Sequence, residues 1–430
     1  MAQATLFPEL IDHIISFLAL PRKLDNLYLD LSFRWYDEKT LKPDLYSCSL
    51  VCREWSKLAR PHIFHTVGLR LVLPDEDEPI GTLEEFLEFL DATPRVPHCI
   101  RKLELRFQGG IDAWDIPPEE DPLGIDLVLL HTVLSRLPRL HSLSLDGIHP
   151  FNSTPVDWSP TPINLQLVQY ITYFYDIPLC AIFPLSLLGH VDELVVQSHR
   201  NYPGAFSYDT SQPATRGSHF ALRSLKLFAY PHVRSFVEDI LLTPAVDTLE
   251  SLALVDFNTE ETLSAAWRLL RGVGPRLLDV WIDVSSRLPT ENLGAFDLSA
   301  CSRLESLTIY SSLCYPTDVV NPTPSARPYS YIRCILAYLV QVTPQHAPPC
   351  PRLRSITLSM LLWSETKMNV MKKTSAVKKA VLEALEDIFI SVPVVETVWI
   401  KLEGTYSAGM VSVEKLWERA QPYESELVCL

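Results

Sequence analysis

Glycine is scarce in this chain of 430 residues, with 14 copies, whereas proline is abundant, with 34. Glycine-rich catalytic and phosphate-binding motifs need several glycines at fixed spacing, and the sequence contains no P-loop, GxGxxG, GxSxG or HExxH pattern. The nearest approaches are "GTYSAG" at Gly404, whose serine is one position off, and "GVGP" at Gly272, which lacks a third glycine. The sequence therefore predicts a protein that is not an enzyme, with no catalytic residues and no cofactor.

A secretion signal and a long apolar run are also missing. The opening "MAQATLFPEL" has no basic segment followed by an apolar core. The most apolar stretch, Tyr170–Val191, is interrupted by Asp176, Pro178 and Pro184, which indicates buried core rather than a membrane span. The nine cysteines are scattered and odd in number, which favours free thiols in a reducing compartment. We therefore expect a cytoplasmic or nuclear protein with no membrane partner.

Positive charge is in short supply, with 37 Lys and Arg against 52 Asp and Glu and a net charge of -15. Residues 74–126 alone hold fifteen acidic residues against four basic ones. Such a surface repels phosphate backbones, so we expect no nucleic-acid partner. Two interpretations stay open for the acidic surface: it keeps the protein soluble, or it steers a basic partner protein.

A repeated pattern of apolar, any, apolar residues runs through most of the chain. Its nine copies begin at Leu103, Leu143, Leu194, Leu225, Leu252, Val280, Leu307, Ile356 and Val398. The middle spacings of 27, 28 and 27 residues match the period of leucine-rich repeats. Helix-like segments lie between the copies: "LEEFLEFLDAT", "LVLLHTVLSRLP", "VRSFVEDILLT", "EETLSAAWRLLRGVG" and "VKKAVLEALEDIFISVP". Residues 66–430 are therefore predicted to form an irregular, leucine-rich-repeat-like α/β solenoid, with an ordinary α/β domain as the alternative.

The middle residue of each triplet should point away from the repeat core, because side chains alternate along a strand. Eight of these nine positions are considered as candidates: Glu104, Ser144, Lys226, Ala253, Trp281, Thr308, Thr357 and Trp399. We select Trp281, Trp399, Lys226 and Thr308 as candidate contacts for a protein partner, since an exposed tryptophan is often a binding anchor. Packing under a loop or a terminal cap is the alternative for each tryptophan.

Residues 1–65 have a different pattern, typical of two amphipathic helices. In "LFPELIDHIISFL" the apolar residues Leu10, Ile11, Ile14, Ile15 and Leu18 form one stripe, with Pro8 in the first turn. A second helix is predicted from Asp44, as N-cap, to Pro61, which should end it. Its apolar seam comprises Leu45, Cys48, Cys52, Trp55 and Ala59.

Cys48 and Cys52 allow two interpretations. They could form a metal site with His62 and His65, or they could be packing positions on a docking helix. A helical CxxxC followed by HxxH is not a common zinc spacing, and its neighbours are apolar. The pattern therefore favours the docking helix and predicts no metal.

The same two segments resemble the F-box family. Pro8 and Glu9 match its Leu-Pro-x-Glu helix opening, and "LYSCSLVCREW" matches its Leu-x-x-Cys-x-Leu-Val-Cys-x-x-Trp run. The trailing "PHIFHTVGLRL" is similar to the exit segment of fungal members. The connection of about 25 residues at 19–43 is longer than the family's usual loop, so the resemblance implies a helical module at 1–65 with an insertion there.

The resemblance implies that this module docks on a Skp-type adaptor and, through it, on a cullin. The implied adaptor-binding residues are Leu6, Pro8, Leu10, Ile11, Ile14, Leu45, Leu50, Val51 and Trp55. A solenoid behind such a module implies the substrate-recognition subunit of a cullin-type (SCF) ubiquitin ligase, with a protein substrate on the solenoid. The alternative is a non-catalytic leucine-rich interaction scaffold whose F-box no longer binds the adaptor.

Overall fold

The protein is a mixed α/β molecule with predominantly parallel sheet. The computed structural model describes residues 7–19, 43–71, 82–107, 124–151, 161–172, 187–198, 220–228, 233–255, 257, 260–283, 298–313, 350–363, 395–406 and 409–418. Seven α-helices and fourteen strands lie within these residues. The chain divides into two compact units, residues 1–169 and 170–430.

The first unit begins with three helices and continues into a parallel sheet. Its helices are α1 Pro8–Ala19, α2 Pro43–Val51, α3 Arg53–Ile63, α4 Leu83–Ala92 and α5 Leu127–Ser135. Its strands are β1 Thr66–Leu71, β2 Lys102–Phe107, β3 Gly124–Asp126, β4 Ser142–Asp146, β5 His149–Phe151 and β6 Ile163–Thr172, whose last three residues belong to the second unit. The main sheet has the order β1-β2-β4-β6, with β1, β2 and β4 parallel, while β3 and β5 form a small parallel pair.

In the second unit, helical segments lie between some of the consecutive strands. Its elements are β7 Leu188–Ser198, β8 Ala221–Phe228, α6 Val233–Ile240, β9 Ser251–Val255, α7 Glu260–Val273, β10 Asp279–Asp283, β11 Ser306–Leu313, β12 Ser355–Trp363, β13 Thr397–Tyr406 and β14 Gly409–Glu418. These strands pair in chain order. Neighbours from β7 to β13 are parallel, and β14 closes the edge antiparallel to β13.

All nine predicted triplets lie in strands, and four of the five predicted helices are confirmed as α4, α5, α6 and α7. The fifth, "VKKAVLEALEDIFISVP", lies outside the described residues. The strand predicted after residue 65 is confirmed as β1. Strands β3, β5, β6 and β14 were not predicted, although β6 and β14 contain the same apolar, any, apolar pattern at residues 165–167 and 411–413.

The core of the repeats has a third position that the triplet pattern left out. The outer triplet residues from Leu103 to Val398 are at most 3% exposed, and an apolar residue three positions before each triplet is buried as well. These preceding residues are Ile100, Leu140, Val191, Leu222, Leu249, Leu277, Leu304, Leu353 and Val395. Each repeat therefore buries three side chains at the spacing i, i+3 and i+5.

Local sequence determines where several helices begin. At α4, the Thr82 hydroxyl accepts from the Glu85 amide at 3.1 Å, and the Glu85 carboxylate accepts from the Thr82 amide at 3.0 Å. This reciprocal capping box satisfies two amides that have no partner inside the helix. At α5, the Asp126 carboxylate accepts from the Val128 amide at 3.0 Å in the same role.

The prediction of one helix from Asp44 to Pro61 is wrong. The chain breaks at Cys52, whose backbone is extended (φ -164°, ψ 173°), and α2 and α3 are separate helices on either side. Helix α2 begins at Pro43, and α3 continues past Pro61 to Ile63. Ile63 is buried in the core that α1, α2 and α3 form, and the Phe64 amide donates to the Arg60 carbonyl at 3.0 Å. Packing therefore keeps the last turn of α3 helical around Pro61.

The apolar stretch Tyr170–Val191 enters the core at both of its described ends. Tyr170, Ile171, Leu187, Leu188 and Val191 are all buried. Residues 173–186 lie outside the described residues. Among the helices that the structure describes, none is long and apolar enough to cross a membrane.

Candidate functional site

Helices α1, α2 and α3 pack around a small core of their own. Its buried members come from all three helices and are Ile11, Ile15, Leu45, Cys48, Ala59 and Ile63. Leu18, Trp55, Leu58 and Phe64 pack against this core and are partly buried. These ten residues are the core of the three helices, which we call the helical core, and α1, α2 and α3 together are called the helical unit.

A second set of apolar side chains on the same helices faces solvent. Of the nine large apolar side chains exposed in the described residues, six lie here: Phe7, Leu10, Ile14, Tyr46, Leu50 and Val51. Leu50 is 85% exposed and Val51 61%. Phe7, Leu10 and Ile14 share one face at i, i+3 and i+7, and Tyr46 and Leu50 share another at i and i+4. We call these six residues the helical patch, and such a concentration of exposed apolar surface typically marks an interaction site.

The nine residues implied by the F-box resemblance separate into surface and core. Pro8, Leu10, Ile14, Leu50 and Val51 are exposed and available for contact. Leu6 lies outside the described residues.

Ile11 and Leu45 are 6% and 1% exposed, so they hold the three helices together and do not form surface. Trp55 is partly buried against the same core. The sequence pattern missed Phe7 and Tyr46, although their spacing from Leu10 and Leu50 could have identified them.

The structure gives the metal interpretation no support. Cys48 is buried in the helical core, whereas Cys52 is exposed at the break between α2 and α3. His62 Nε2 lies 3.7 Å from the Asp12 carboxylate, on the first helix. Within the described residues, no group of three or more His, Cys, Asp or Glu side chains is placed to hold a metal ion.

The middle triplet residues differ in exposure. In the second unit Lys226, Ala253, Trp281, Thr308 and Thr357 are half-buried and Trp399 is 37% exposed, as expected for an open sheet face, whereas Val195 is buried. In the first unit Glu104 and Ser144 are 2% and 7% exposed, so the expectation that they are exposed is wrong. The Glu104 carboxylate forms ion pairs with Lys102 and Arg106, and these partners allow a charge to be buried there.

On the open sheet face, Trp281 and Trp399 lie in the same register row. Paired positions across β10 to β13 are Trp281, Thr308, Thr357 and Trp399. With strands about 4.8 Å apart, the two tryptophans stand about 14 Å from each other. We call the space bounded by Trp281 and Trp399, with Thr308 and Thr357 as its floor, the sheet groove.

Two of the candidate side chains on this face, Trp281 and Lys226, contact aromatic rings. The Trp281 ring stacks on Tyr310 with 5.5 Å between centroids and 22° between planes. Lys226 Nζ lies 5.4 Å from the centroid of Phe228, so its charge is directed to a ring of its own strand. Lys226 therefore contributes less to an open binding surface than the two tryptophans do.

Cys99 is a partly exposed free thiol among several arginines. Burial raises the pKa of the Cys99 thiol, while Arg60, Arg139 and Arg101 lower it, and the net direction is upward. A raised pKa leaves little thiolate at neutral pH, which is unfavourable for a nucleophile. The electropositive surroundings therefore do not make Cys99 a catalytic residue.

No protein-family model matches the chain, and none of the curated proteins matches it.

Proposed function

We propose that the protein is the substrate-recognition subunit of a cullin-type (SCF) ubiquitin ligase. In this proposal the three-helix unit docks on a Skp-type adaptor, and the sheet-bearing part of the chain binds a protein substrate. The observation that carries the proposal is the helical patch, because its apolar side chains are exposed on helices that already have a complete core.

The energetics of the helical patch favour docking on a partner. Fully burying an exposed Leu or Val side chain stabilises a complex by about 1.5–3 kcal/mol. Leu50 and Val51 lie at the end of α2, so one partner surface can cover both of them. Their exposure contributes nothing to folding, and docking provides the physical reason for placing them there.

The repeating core supports a leucine-rich-repeat-like solenoid for residues 66–430. Buried residues recur at i, i+3 and i+5 around each strand, and register pairs such as Leu225 with Leu252 and Val280 with Leu307 align them between neighbours. Such stacking buries each repeat against the next and leaves the opposite sheet face open for a partner.

A receptor of this kind needs no chemistry of its own. Holding a substrate beside a ubiquitin-charged enzyme raises the effective concentration of the reacting lysine. The proposed partners are therefore the adaptor, the cullin and a protein substrate, in the cytoplasm or the nucleus.

The alternative is an interaction scaffold whose helical unit does not bind the adaptor. The long connection between Ala19 and Pro43 favours it, because an insertion between α1 and α2 can alter the surface that both helices share.

The test replaces Leu50 and Val51 with aspartate in the full-length chain and measures co-purification with a purified Skp-type adaptor. We expect the double variant to bind at least about 100-fold more weakly, because two buried apolar contacts are lost. Leu242→Asp is the matched control, since Leu242 is 77% exposed in the second unit, and it should bind normally.

Exposed positions are preferred to Trp55 here, because Trp55→Ala would remove a ring that packs against the helical core. Equal adaptor binding by the double variant and Leu242→Asp would show that the helical patch is not the docking surface. Failure of the intact, folded chain to bind any adaptor would favour the scaffold.

A further inference from the structure

The sheet groove carries an unusual arrangement on strand β10. Val280 and Ile282 point into the core, so Asp279, Trp281 and Asp283 share the opposite face. Two carboxylates thus flank one indole, each about 6.6 Å away along the strand. In the described residues no other strand places an aromatic ring between two carboxylates on one face.

The neighbours of Trp281 are small. Ala253 and Thr308 occupy the paired positions on β9 and β11. The indole therefore rises above its row and stacks on Tyr310, one rung further along β11. Stacking on Tyr310 therefore holds the Trp281 ring in place as an aromatic surface beside the sheet groove.

The groove is closed at one end and open at the other. Toward the carboxyl ends of the strands, Asp283, Tyr310 and Ser359 are at most 8% exposed. Toward the amino ends, Asp279, Ser306 and Ser355 are half-buried. Asp279 Oδ2 accepts from the Ser251 hydroxyl at 3.1 Å, which fixes the carboxylate at the open end.

An aromatic face beside carboxylates is complementary to a cation. A guanidinium stacks on an indole and can also donate to a carboxylate in its plane. The protein contains such a stack already: the Arg271 guanidinium carbon lies 4.2 Å from the Trp267 ring centroid. The net charge of -15 would further attract a basic segment.

We propose that the sheet groove binds a basic segment of a partner protein, with an arginine side chain stacked on Trp281 beside Asp279. Thr308 and Thr357 supply hydroxyls along the floor, and Trp399 forms the far wall. The inference deepens the proposed function, because it names the chemistry of the substrate, and the arginine contact itself does not depend on adaptor binding.

The experiment uses the full-length chain labelled with 5-fluorotryptophan and follows the Trp281 resonance by fluorine NMR. That resonance is assigned from its loss in Trp281→Phe. The probes are N-acetyl-arginine amide and N-acetyl-citrulline amide, which have the same planar shape but differ in charge. We expect arginine to shift the Trp281 resonance saturably in the millimolar range and citrulline to leave it unchanged.

Asp279→Asn should weaken the arginine effect about threefold to fivefold, the range of a partly exposed ion pair. The asparagine oxygen can still accept from Ser251, so the fold is retained. Glu261→Gln removes an exposed charge at the start of α7 and is the matched control, with no expected effect. The Trp267 resonance, whose ring Arg271 already covers, should not respond.

Three results would overturn the proposal: an equal response to arginine and citrulline, no Trp281 response at tens of millimolar arginine, or the same affinity in Asp279→Asn and Glu261→Gln. If Asp279→Asn is unstable, Trp281→Phe replaces it as the test variant. The Trp399 resonance is then followed, and its response to arginine must be weaker than in the wild-type chain. Adaptor capture by Trp281→Phe should be normal, so failure of this inference is distinguishable from failure of the proposed function.

Discussion

Tyr170 shows what full burial does to a single ionisable side chain. It is 0% exposed, and because a phenolate cannot be hydrated there, burial raises the pKa of Tyr170 far above its usual value. In the unfolded chain a tyrosine ionises near pH 10. The folded protein therefore keeps a proton that the unfolded chain releases once the pH exceeds about 10.

This difference predicts a specific loss of stability in alkali. Above about pH 10, Tyr170 should lower the free energy of unfolding by up to about 1.4 kcal/mol per pH unit, and below that pH its contribution is constant. Chemical denaturation of wild type and Tyr170→Phe at pH 8 and pH 11 tests it. The stability difference should move by about 1 kcal/mol in favour of the variant at the higher pH.

Tyr46→Phe is the control, because it removes an exposed hydroxyl from the helical patch. Its stability relative to wild type should be the same at both pH values. A Tyr170→Phe chain that behaves like this control would contradict the burial argument.

Among the helices and strands, the "GVGP" sequence has a packing role, because its second glycine, Gly274, lies close to another segment of the chain. Gly274 is buried in the short turn that follows α7, and a Cβ there would lie 2.9 Å from the Ala300 Cβ and 3.0 Å from the Ala300 carbonyl carbon. Ala300 lies between β10 and β11, in the turn that precedes β11. The absence of a side chain at Gly274 therefore allows neighbouring repeats to approach closely.

We expect Gly274→Ala to lower the free energy of unfolding by about 1–3 kcal/mol, because backbone must shift to admit the methyl group. Gly272→Ala is the matched variant two residues earlier. Its Cβ would come 2.3 Å from the Leu241 Cδ2, but that atom is the end of a flexible side chain that can rotate away, and alanine favours the helix. Thermal denaturation of both variants decides, and equal stability would refute a packing role for Gly274.

The helical unit shows why the spacing of apolar residues did not predict where its helices begin and end. The seam from Leu45 to Ala59 keeps a helical period through Cys52, so periodicity alone predicts a continuous helix. The observed break turns α3 so that Ala59 and Ile63 reach the core that Ile15 and Leu45 share. The same break leaves Leu50 and Val51 exposed. Tertiary packing thus decided both the boundary and the helical patch.

At the scale of the whole molecule, the two proposed contacts should be separable. The helical patch lies in the first unit and the sheet groove in the second. The Leu50 and Val51 double variant should keep the arginine response of Trp281, and Trp281→Phe should keep adaptor capture. Measuring both activities on both variants checks this, and loss of both activities in either variant would show general unfolding or coupling between the units.

The strands could be predicted well from the sequence, because apolar alternation is local and the outer residues of each triplet are buried within their own unit. Strands β6 and β14 contain the same local pattern at residues 165–167 and 411–413 but were not predicted, and their pairing with neighbours defines them. Among the site residues, Trp281 and Trp399 were placed correctly on the open face. Glu104 was wrongly expected to be exposed, because its burial depends on the ion pairs that it forms with Lys102 and Arg106.

The repeating strands, most of the helices and the scarcity of catalytic motifs can be read from the sequence, because they depend on residue type and local spacing. Which apolar residues of the helical unit face solvent, and that two carboxylates and an indole share one face beside small neighbours, depends on tertiary packing. Exposure is a property of the packed neighbours of a residue, and those neighbours come from distant parts of the chain.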